Sequence, residues 1–377
     1  MRVAMIGQKG IPVTIGGPEN FVREISTRLV RRGHRVTVYC RPYALTEWAR
    51  FLSEEEKEAV RQRKYEGVDL KILPTVPTKR LDAIVHSTLS SIHCVFDSFD
   101  VLHYHTIGAF LPAFIPRLAT RAKIVVSVHA LDWQRAKWGR GARAMLRLGE
   151  EASIRIPDVT HVISRELKRY FESRSRHSQK IVYIPTGVNV AEPKPTRLTR
   201  KYGIREGKYI LFLSRLVPEK GAHYLIDAYN RLETDMKLVI AGNALYEPGY
   251  VGRLKASAGR GVVFTGFVPD EEMAELFSNA YFYVLPSETE GLPHTLLQAL
   301  SYGRCVVASD IEANREALGG LGFTFTSKDS KDLGKVLEKL IANPKLVASE
   351  QGKGIKRVRK EYGWEAVVDR FEQVYHN

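Results

Sequence analysis

Short apolar runs alternate with amphipathic helical segments along the whole chain, and this alternation restricts the fold to one class. Strand-like runs fall at 3–6, 36–40, 68–73, 101–103, 123–129 and 161–164, separated by helix-like segments that include about 18–32, 53–63 and 80–96. In the first of these helices Phe21, Val22, Ile25, Leu29 and Val30 share one face, and Gly33 follows as its stop. Short apolar strands separated by amphipathic helices build a parallel, doubly wound sheet covered on both faces. Pro193, Lys194 and Pro195 interrupt the pattern as a linker. A second alternation then begins, with strands at 209–213, 237–241, 262–265, 281–285 and 305–309 and helices at about 223–232, 251–258, 270–278 and beyond Pro293. The expected class is α/β: two facing Rossmann-like domains with a deep cleft between them, walled by the C-terminal strand edges of both sheets. Helical segments at 329–341 and from 347 to about 375 close the chain, the last part long enough to cross back to the first domain. The expected divisions are 1–188, 189–355 and a returning helix at 356–377.

Charge is spread unevenly over the 377 residues, and the asymmetry says more than the net +15. Residues 1–190 hold 31 Lys+Arg against 18 Asp+Glu, while residues 191–377 hold 26 against 24. The densest cluster is Arg135, Lys137, Arg140, Arg143 and Arg147, interleaved with Trp133, Trp138, Met145 and Leu146. A basic helix bearing aromatics can lie on an anionic bilayer, grip a phosphorylated acceptor, or be a solvated face. No RNP-like, helix-turn-helix or zinc-finger pattern supports nucleic acid as the partner. Cys40, Cys94 and Cys305 are scattered, which points to a reducing cytoplasm and away from disulfides or structural zinc. The longest apolar stretch, 107–116, is too short to span a membrane and contains Pro112, so neither an anchor nor a cleaved signal is expected. Peripheral contact with the inner face of the cytoplasmic membrane stays open.

Two segments carry the chemistry. Residues 214–221 read Ser-Arg-Leu-Val-Pro-Glu-Lys-Gly after an apolar strand, and 286–293 read Pro-Ser-Glu-Thr-Glu-Gly-Leu-Pro after another, running on to Gln298. Arg215 offers a planar fork to phosphate oxygens and Lys220 a point charge, both where an open α/β sheet places ligands. Pro293 suits the first position of a helix whose free amides face an anion, and Glu290 beside it can accept from sugar hydroxyls. Either segment alone fits a surface ion pair; together they describe a pyrophosphate site with a sugar beside it.

In the first domain Gly16 and Gly17 lie in a glycine-rich loop opening onto the first helix, a place for close approach to a phosphate or sugar, or simply a tight turn. The loop is not G-x-G-x-x-G, which disfavours a nicotinamide dehydrogenase. His129 ends a strand and is followed by Asp132 and Trp133; its imidazole can donate to a hydroxyl near a reacting carbon or be structural. His103 and His105 also follow a strand-like run, but no carboxylate or cysteine stands at ligand spacing, so no metal is assigned there. No D-x-D pair occurs in the chain, removing the usual holder of a divalent ion on a nucleotide-sugar pyrophosphate.

On Arg-Leu-Val-Pro-Glu-Lys-Gly and Glu-Gly-Leu-Pro, with likeness over nearly the whole length, the chain resembles the GT-B-fold retaining glycosyltransferases of family 4, also called group 1. Gly-Gln-Lys-Gly-Ile-Pro through Gly-Gly-Pro-Glu, and His-Ala-Leu-Asp-Trp-Gln-Arg, look like bacterial members that include rhamnosyltransferases of surface-polysaccharide assembly. The resemblance implies an N-terminal acceptor domain and a C-terminal donor domain. It implies that Arg215 and Lys220 contact the donor diphosphate and that Gly17 approaches it from the other domain. Glu290 with the Gly291 and Leu292 backbone would hold the donor sugar. The amides near Thr295 and Leu296 would meet phosphate, the turn at Phe267 and Val268 the base, and His129 the transferred sugar. Asp132, Trp133, Arg135, Lys137, Arg140 and Arg143 would fall on the acceptor or membrane side. The implied reaction transfers a sugar from a nucleotide diphosphate sugar to a saccharide or polyprenyl-linked acceptor, with retention and without a metal or other cofactor.

One departure stands out: the family has Glu eight positions after the first glutamate, where this chain has Gln298. Losing that charge should cost about 1 kcal/mol, or about fivefold in donor affinity. Two other readings remain at this stage, a GT-B nucleotide-sugar 2-epimerase and a non-catalytic nucleotide-sugar-binding subunit.

Overall fold

The computed structural model describes residues 1–12, 17–43, 52–76, 78, 81–131, 133, 139–190, 192–243 and 248–377. The chain divides into two compact units, Met1–Gly187 with Trp364–Asn377, and Val188–Gly363.

In the first unit the strands are β1 (Arg2–Ile6), β2 (Arg35–Cys40), β3 (Lys64–Tyr65), β4 (Val68–Ile72), β5 (Val101–His105), β6 (Lys123–Val128), β7 (Val159–Val162) and β8 (Ile181–Tyr183). The helices are α1 (Gly17–Arg31), α2 (Glu54–Arg61), α3 (Asp82–Val95), α4 (Phe114–Ala119), α5 (Arg140–Arg155) and α6 (Arg165–Arg174). The sheet order is β3-β4-β2-β1-β5-β6-β7-β8, parallel except for β3 against β4. Val3, Ala4 and Met5 are fully buried, as a central parallel strand requires. Helix starts follow capping chemistry: Ser53 forms a capping box with Glu56 at α2, and the Ser164 hydroxyl accepts from the Leu167 amide at α6.

The second unit contains β9 (Tyr209–Leu213), α7 (Ala222–Tyr229), β10 (Lys237–Ala241), α8 (Pro248–Ser257), β11 (Val262–Gly266), α9 (Asp270–Asn279), β12 (Phe282–Leu285), α10 (His294–Ser301), β13 (Cys305–Ser309), α11 (Glu312–Leu318), β14 (Phe323–Phe325), α12 (Ser330–Ala342), α13 (Pro344–Glu350) and α14 (Lys353–Tyr362). Its sheet is fully parallel in the order β11-β10-β9-β12-β13-β14.

The helical tail differs from the single stretch expected after residue 347. Gly352, in the left-handed region at φ 81°, ends one helix before the next begins, and Gly363 separates α14 from α15 (Trp364–His376). α14 stays with the second unit, where a Cβ on Gly354 would lie 2.8 Å from the Leu300 side chain of α10. Only α15 belongs to the first unit, so the division lies at Gly363 rather than at 356. Trp364, Val367, Val368, Phe371 and Tyr375 join the core of β1, β2, β5 and α1. Arg32 on the turn after α1 meets Asp369 at 2.6 Å, Glu372 at 2.5 Å and Glu365 at 2.7 Å, which fixes the helix's register. Gly187 is needed for the same contact, because a Cβ there would sit 2.2 Å from the Trp364 indole.

Candidate functional site

In the second unit the chain winds outward from β9 through β10 to β11, then returns to the other side of β9 with β12. This reversal is the switch point at which open α/β sheets bind ligands, and it sets the loops after β9 and β12 side by side. The two loops are tied together. The Glu288 amide donates to the Glu219 carbonyl at 2.9 Å, and Gly221, at φ 70°, leaves room for the Pro286 carbonyl, which a Cβ would meet at 2.0 Å. The Tyr224 hydroxyl donates to Glu288 at 2.8 Å and Lys328 pairs with the other Glu288 oxygen at 3.0 Å.

At the centre Lys220 Nζ lies 2.5 Å from Glu290 Oε1, joining the two sequence segments directly. Both side chains are largely covered, at 14% and 9% exposure, so the pair is only weakly screened by water. Ser287 Oγ donates to the same Oε1 at 2.7 Å. Arg215, two residues beyond β9, is exposed. Pro293 is the residue before α10 rather than its first helical residue, with ψ 94° and no side-chain cap bond, so the first-turn amides of Thr295 and Leu296 remain for a ligand. The Thr295 hydroxyl is 2.9 Å from that of buried Tyr283, which also contacts the Leu213 carbonyl at 3.1 Å. Leu292 and Leu296 are buried, while Gly291 and Gln298 are half-buried. Gly266, the last residue of β11, accepts from the Gly242 amide at 2.8 Å; beyond it Phe267 is 42% exposed and Val268 is buried.

In the first unit Gly17 is the exposed first residue of α1. Gly16, Asp132, Arg135 and Lys137 lie outside the described residues. His129 directly follows β6 and packs edge-on against Phe21 at 5.1 Å. The residue is half-buried by area, yet its Nε2 is shut off from solvent and has no hydrogen-bond partner among the described residues. Burial, with a contribution from His161, pushes its pKa down to about 3, so the ring is neutral near pH 7.

His103 and His105 lie within β5, not beyond it, and both are buried. His161 Nε2 is 2.7 Å from the Ile184 carbonyl, which can only accept, so that nitrogen carries the proton. Ser127 then donates to His161 Nδ1 at 2.7 Å, His103 Nε2 donates to Ser127 at 2.6 Å, and Tyr375 donates to His103 Nδ1 at 2.7 Å. One carbonyl thereby directs four hydrogen bonds across β5, β6 and β7 to α15. Both ring nitrogens of His105 are buried without a partner among the described residues. Among those residues no three His, Cys, Asp or Glu side chains stand as metal ligands.

Trp133 donates through Nε1 to the buried Glu150 at 2.6 Å, and Arg147 lies 4.7 Å from its ring. Tyr170 holds the other Glu150 oxygen at 2.8 Å, so the indole is fixed against α5. Arg140 and Arg143, on the same helix, are exposed and make no ion pair among the described residues. Sequence reading passed over Ser287, although it stands three residues before Glu290. Its buried support could not have been found from spacing, because it comes from the neighbouring strand.

The profile described as Glycosyl transferases group 1 matches residues 196–357, and the profile described as Glycosyltransferase Family 4 matches residues 15–192. The chain is 28% identical to the phosphatidyl-myo-inositol mannosyltransferase of Mycobacterium leprae, aligned over 100% of this chain and 96% of that protein. It is 27% identical to the GDP-mannose-dependent alpha-(1-6)-phosphatidylinositol monomannoside mannosyltransferase of Mycolicibacterium smegmatis, over 90% of this chain and 89% of that protein. Among solved structures, Anabaena HepE in complex with UDP and glucose superposes with a TM-score of 0.80 over 99% of each chain, at 18% identity. Sucrose-phosphate synthase from Thermosynechococcus elongatus superposes with a TM-score of 0.83 over 100% of this chain and 98% of that one, also at 18% identity.

Proposed function

Because the chain belongs to the group 1, family 4 glycosyltransferases with the GT-B fold, and so uses a nucleotide-sugar donor, we propose that it transfers the sugar with retention and without a metal, to a saccharide or lipid-linked acceptor, in cell-surface polysaccharide or glycolipid synthesis. The observation that carries this reading is the Lys220–Glu290 pair at the switch point of the second sheet, a covered cation and carboxylate set where a diphosphate and its sugar would lie side by side. Arg215, Lys220 and the first-turn amides of α10 neutralise the leaving diphosphate, which takes the acceptor's proton as the glycosidic bond forms on the same face of the sugar. The absence of any D-x-D pair supports charge neutralisation by these groups alone.

The two mycobacterial relatives, named for phosphatidylinositol acceptors, support a lipid-borne acceptor. No helix among the described residues is long and apolar enough to cross a membrane. Contact with an anionic membrane would fall to exposed Arg140 and Arg143 on α5.

A thermal-shift series with UDP-, GDP-, dTDP- and ADP-sugars tests the donor: one base should raise the melting point, and a flat response across all four removes the transferase reading. Incubating the stabilising sugar without acceptor should give only slow hydrolysis, whereas epimerisation of the sugar would replace transfer by isomerase chemistry. Lys220→Ala and Arg215→Ala should each lower kcat/KM by an amount worth roughly 2–4 kcal/mol, about 30- to 1000-fold. Near-wild-type turnover in both would contradict the assignment.

A further inference from the structure

We infer that Ser287 is a positioning residue that commits one oxygen of Glu290 to the protein and leaves the other to read a donor hydroxyl. Glu290 Oε1 receives both Ser287 Oγ, at 2.7 Å, and Lys220 Nζ, at 2.5 Å. Oε2 has no hydrogen-bond partner among the described residues, so the carboxylate is loaded on one side only. A carboxylate that only accepts fixes the Ser287 proton on that bond, and charge-assisted hydrogen bonds of this kind hold a side chain in one orientation.

Ser287 is itself held from behind. It is fully buried, and its carbonyl accepts from Ser309 Oγ at 2.5 Å. Asn314 Nδ2 then donates to Ser309 Oγ at 2.8 Å and to the Ser309 carbonyl at 3.1 Å. Ser309 and Asn314 are also fully buried, at the end of β13 and on α11. Ser309 and Asn314, at a strand end and on a helix, thus hold the Ser287 backbone, and Ser287 alone of the three touches the carboxylate oxygen. Asn314 Oδ1 is buried with no hydrogen-bond partner among the described residues, a cost that such a chain bears where a geometry must be held.

This inference rests on the glycosyltransferase reading of the same site. It predicts that Glu290 discriminates among donor sugars through a single oxygen, and that the discrimination depends on Ser287. The test uses UDP-glucose and GDP-mannose with their singly deoxygenated sugar analogues, measured by binding and by slow hydrolysis, in wild type, Ser287→Ala and Ser309→Ala. For the donor that binds wild type, Ser287→Ala should lower kcat/KM about 10- to 100-fold, the scale of a lost hydrogen bond to a charged group. In wild type one deoxy position should carry a much larger penalty than the others. In Ser287→Ala that one penalty should shrink while the others stay as they were, and Ser309→Ala should move in the same direction by a smaller factor with the fold retained by circular dichroism. Equal losses at every deoxy position in both variants would show a merely structural role and overturn the inference, as would wild-type kinetics in Ser287→Ala. If neither parent donor binds wild type but another of the UDP-, GDP-, dTDP- or ADP-sugars raises its melting point, the same series is run on that sugar; a flat response across all four ends the site reading and this inference with it.

Discussion

Acidification from pH 7 to about pH 5 will unfold the first unit before the second. His129 is held down to about 3, His161 and His86 to about 4, and His103 and His105 well below 6.5, in each case with burial as the largest cause. All five lie in the first unit. A histidine whose native pKa is depressed contributes its full share above the unfolded value near 6.5. As pH falls below that value, the unfolded chain takes up protons that the native state refuses, so stability drops by about 1.4 kcal/mol per pH unit for each group. For His86, His161 and His129 the loss continues until the native pKa is reached, near pH 4 to 3. At pH 5 His86, His129 and His161 have each removed about 2 kcal/mol, about 6 kcal/mol together and comparable with the whole stability of a domain, and His103 and His105 add to the loss in the same direction. Protonated His103 or His161 would also lack the acceptor that keeps the hydrogen-bond chain from Tyr375 to Ile184 intact. Trp133 and Trp364, the tryptophans among the described residues, both fall in the first unit, and none lies at a sequence position within 188–363, so tryptophan fluorescence reads the first unit. The expected record is a steep tryptophan transition near pH 5, with part of the far-ultraviolet circular dichroism surviving it. A flat tryptophan signal down to pH 4 would refute this account.

Phe371→Ala should destabilise the first unit by about 3–5 kcal/mol, the usual cost of emptying a buried phenylalanine site. The ring is fully buried on α15 and meets Phe21 at 5.7 Å, His103 at 5.4 Å and His161 at 4.8 Å. At roughly 3 °C per kcal/mol for a unit of this size, the tryptophan-monitored melting point should fall by about 10 °C. The same substitution loosens the helix that places Tyr375 on His103, so the acid transition should move to higher pH. A melting point within about 2 °C of wild type, small against that scale, would mean that α15 is dispensable to the core.

Several strands were legible to the residue, β9 (Tyr209–Leu213), β10 (Lys237–Ala241) and β13 (Cys305–Ser309) among them, because fully buried parallel strands are continuous apolar runs. β5 was read too short. His103, Tyr104 and His105 continue it, and polar residues inside a strand break the apolar signal unless their partners are known. α11 and β14 (Phe323–Phe325) were not picked out, being short elements whose burial comes from neighbours. In the site, Lys220 and Glu290 were legible from their motifs, since a cation and a carboxylate at strand ends are visible in one dimension. Ser309 and Asn314 were not, because nothing links them to Glu290 until β13 pairs with β12.

The sequence alone determined the two parallel-sheet units, the loops that carry the chemistry, and the family to which the chain belongs, because hydrophobic periodicity and motif spacing are local properties of the chain. Only the tertiary structure decided that the tail divides at Gly363 and that His103 and His105 are buried in a directed hydrogen-bond chain. It also decided that Glu290 is held on one side by Ser287 and Lys220. Each of these depends on which strands become neighbours, and the free energy of a buried polar group is set by partners far away in sequence.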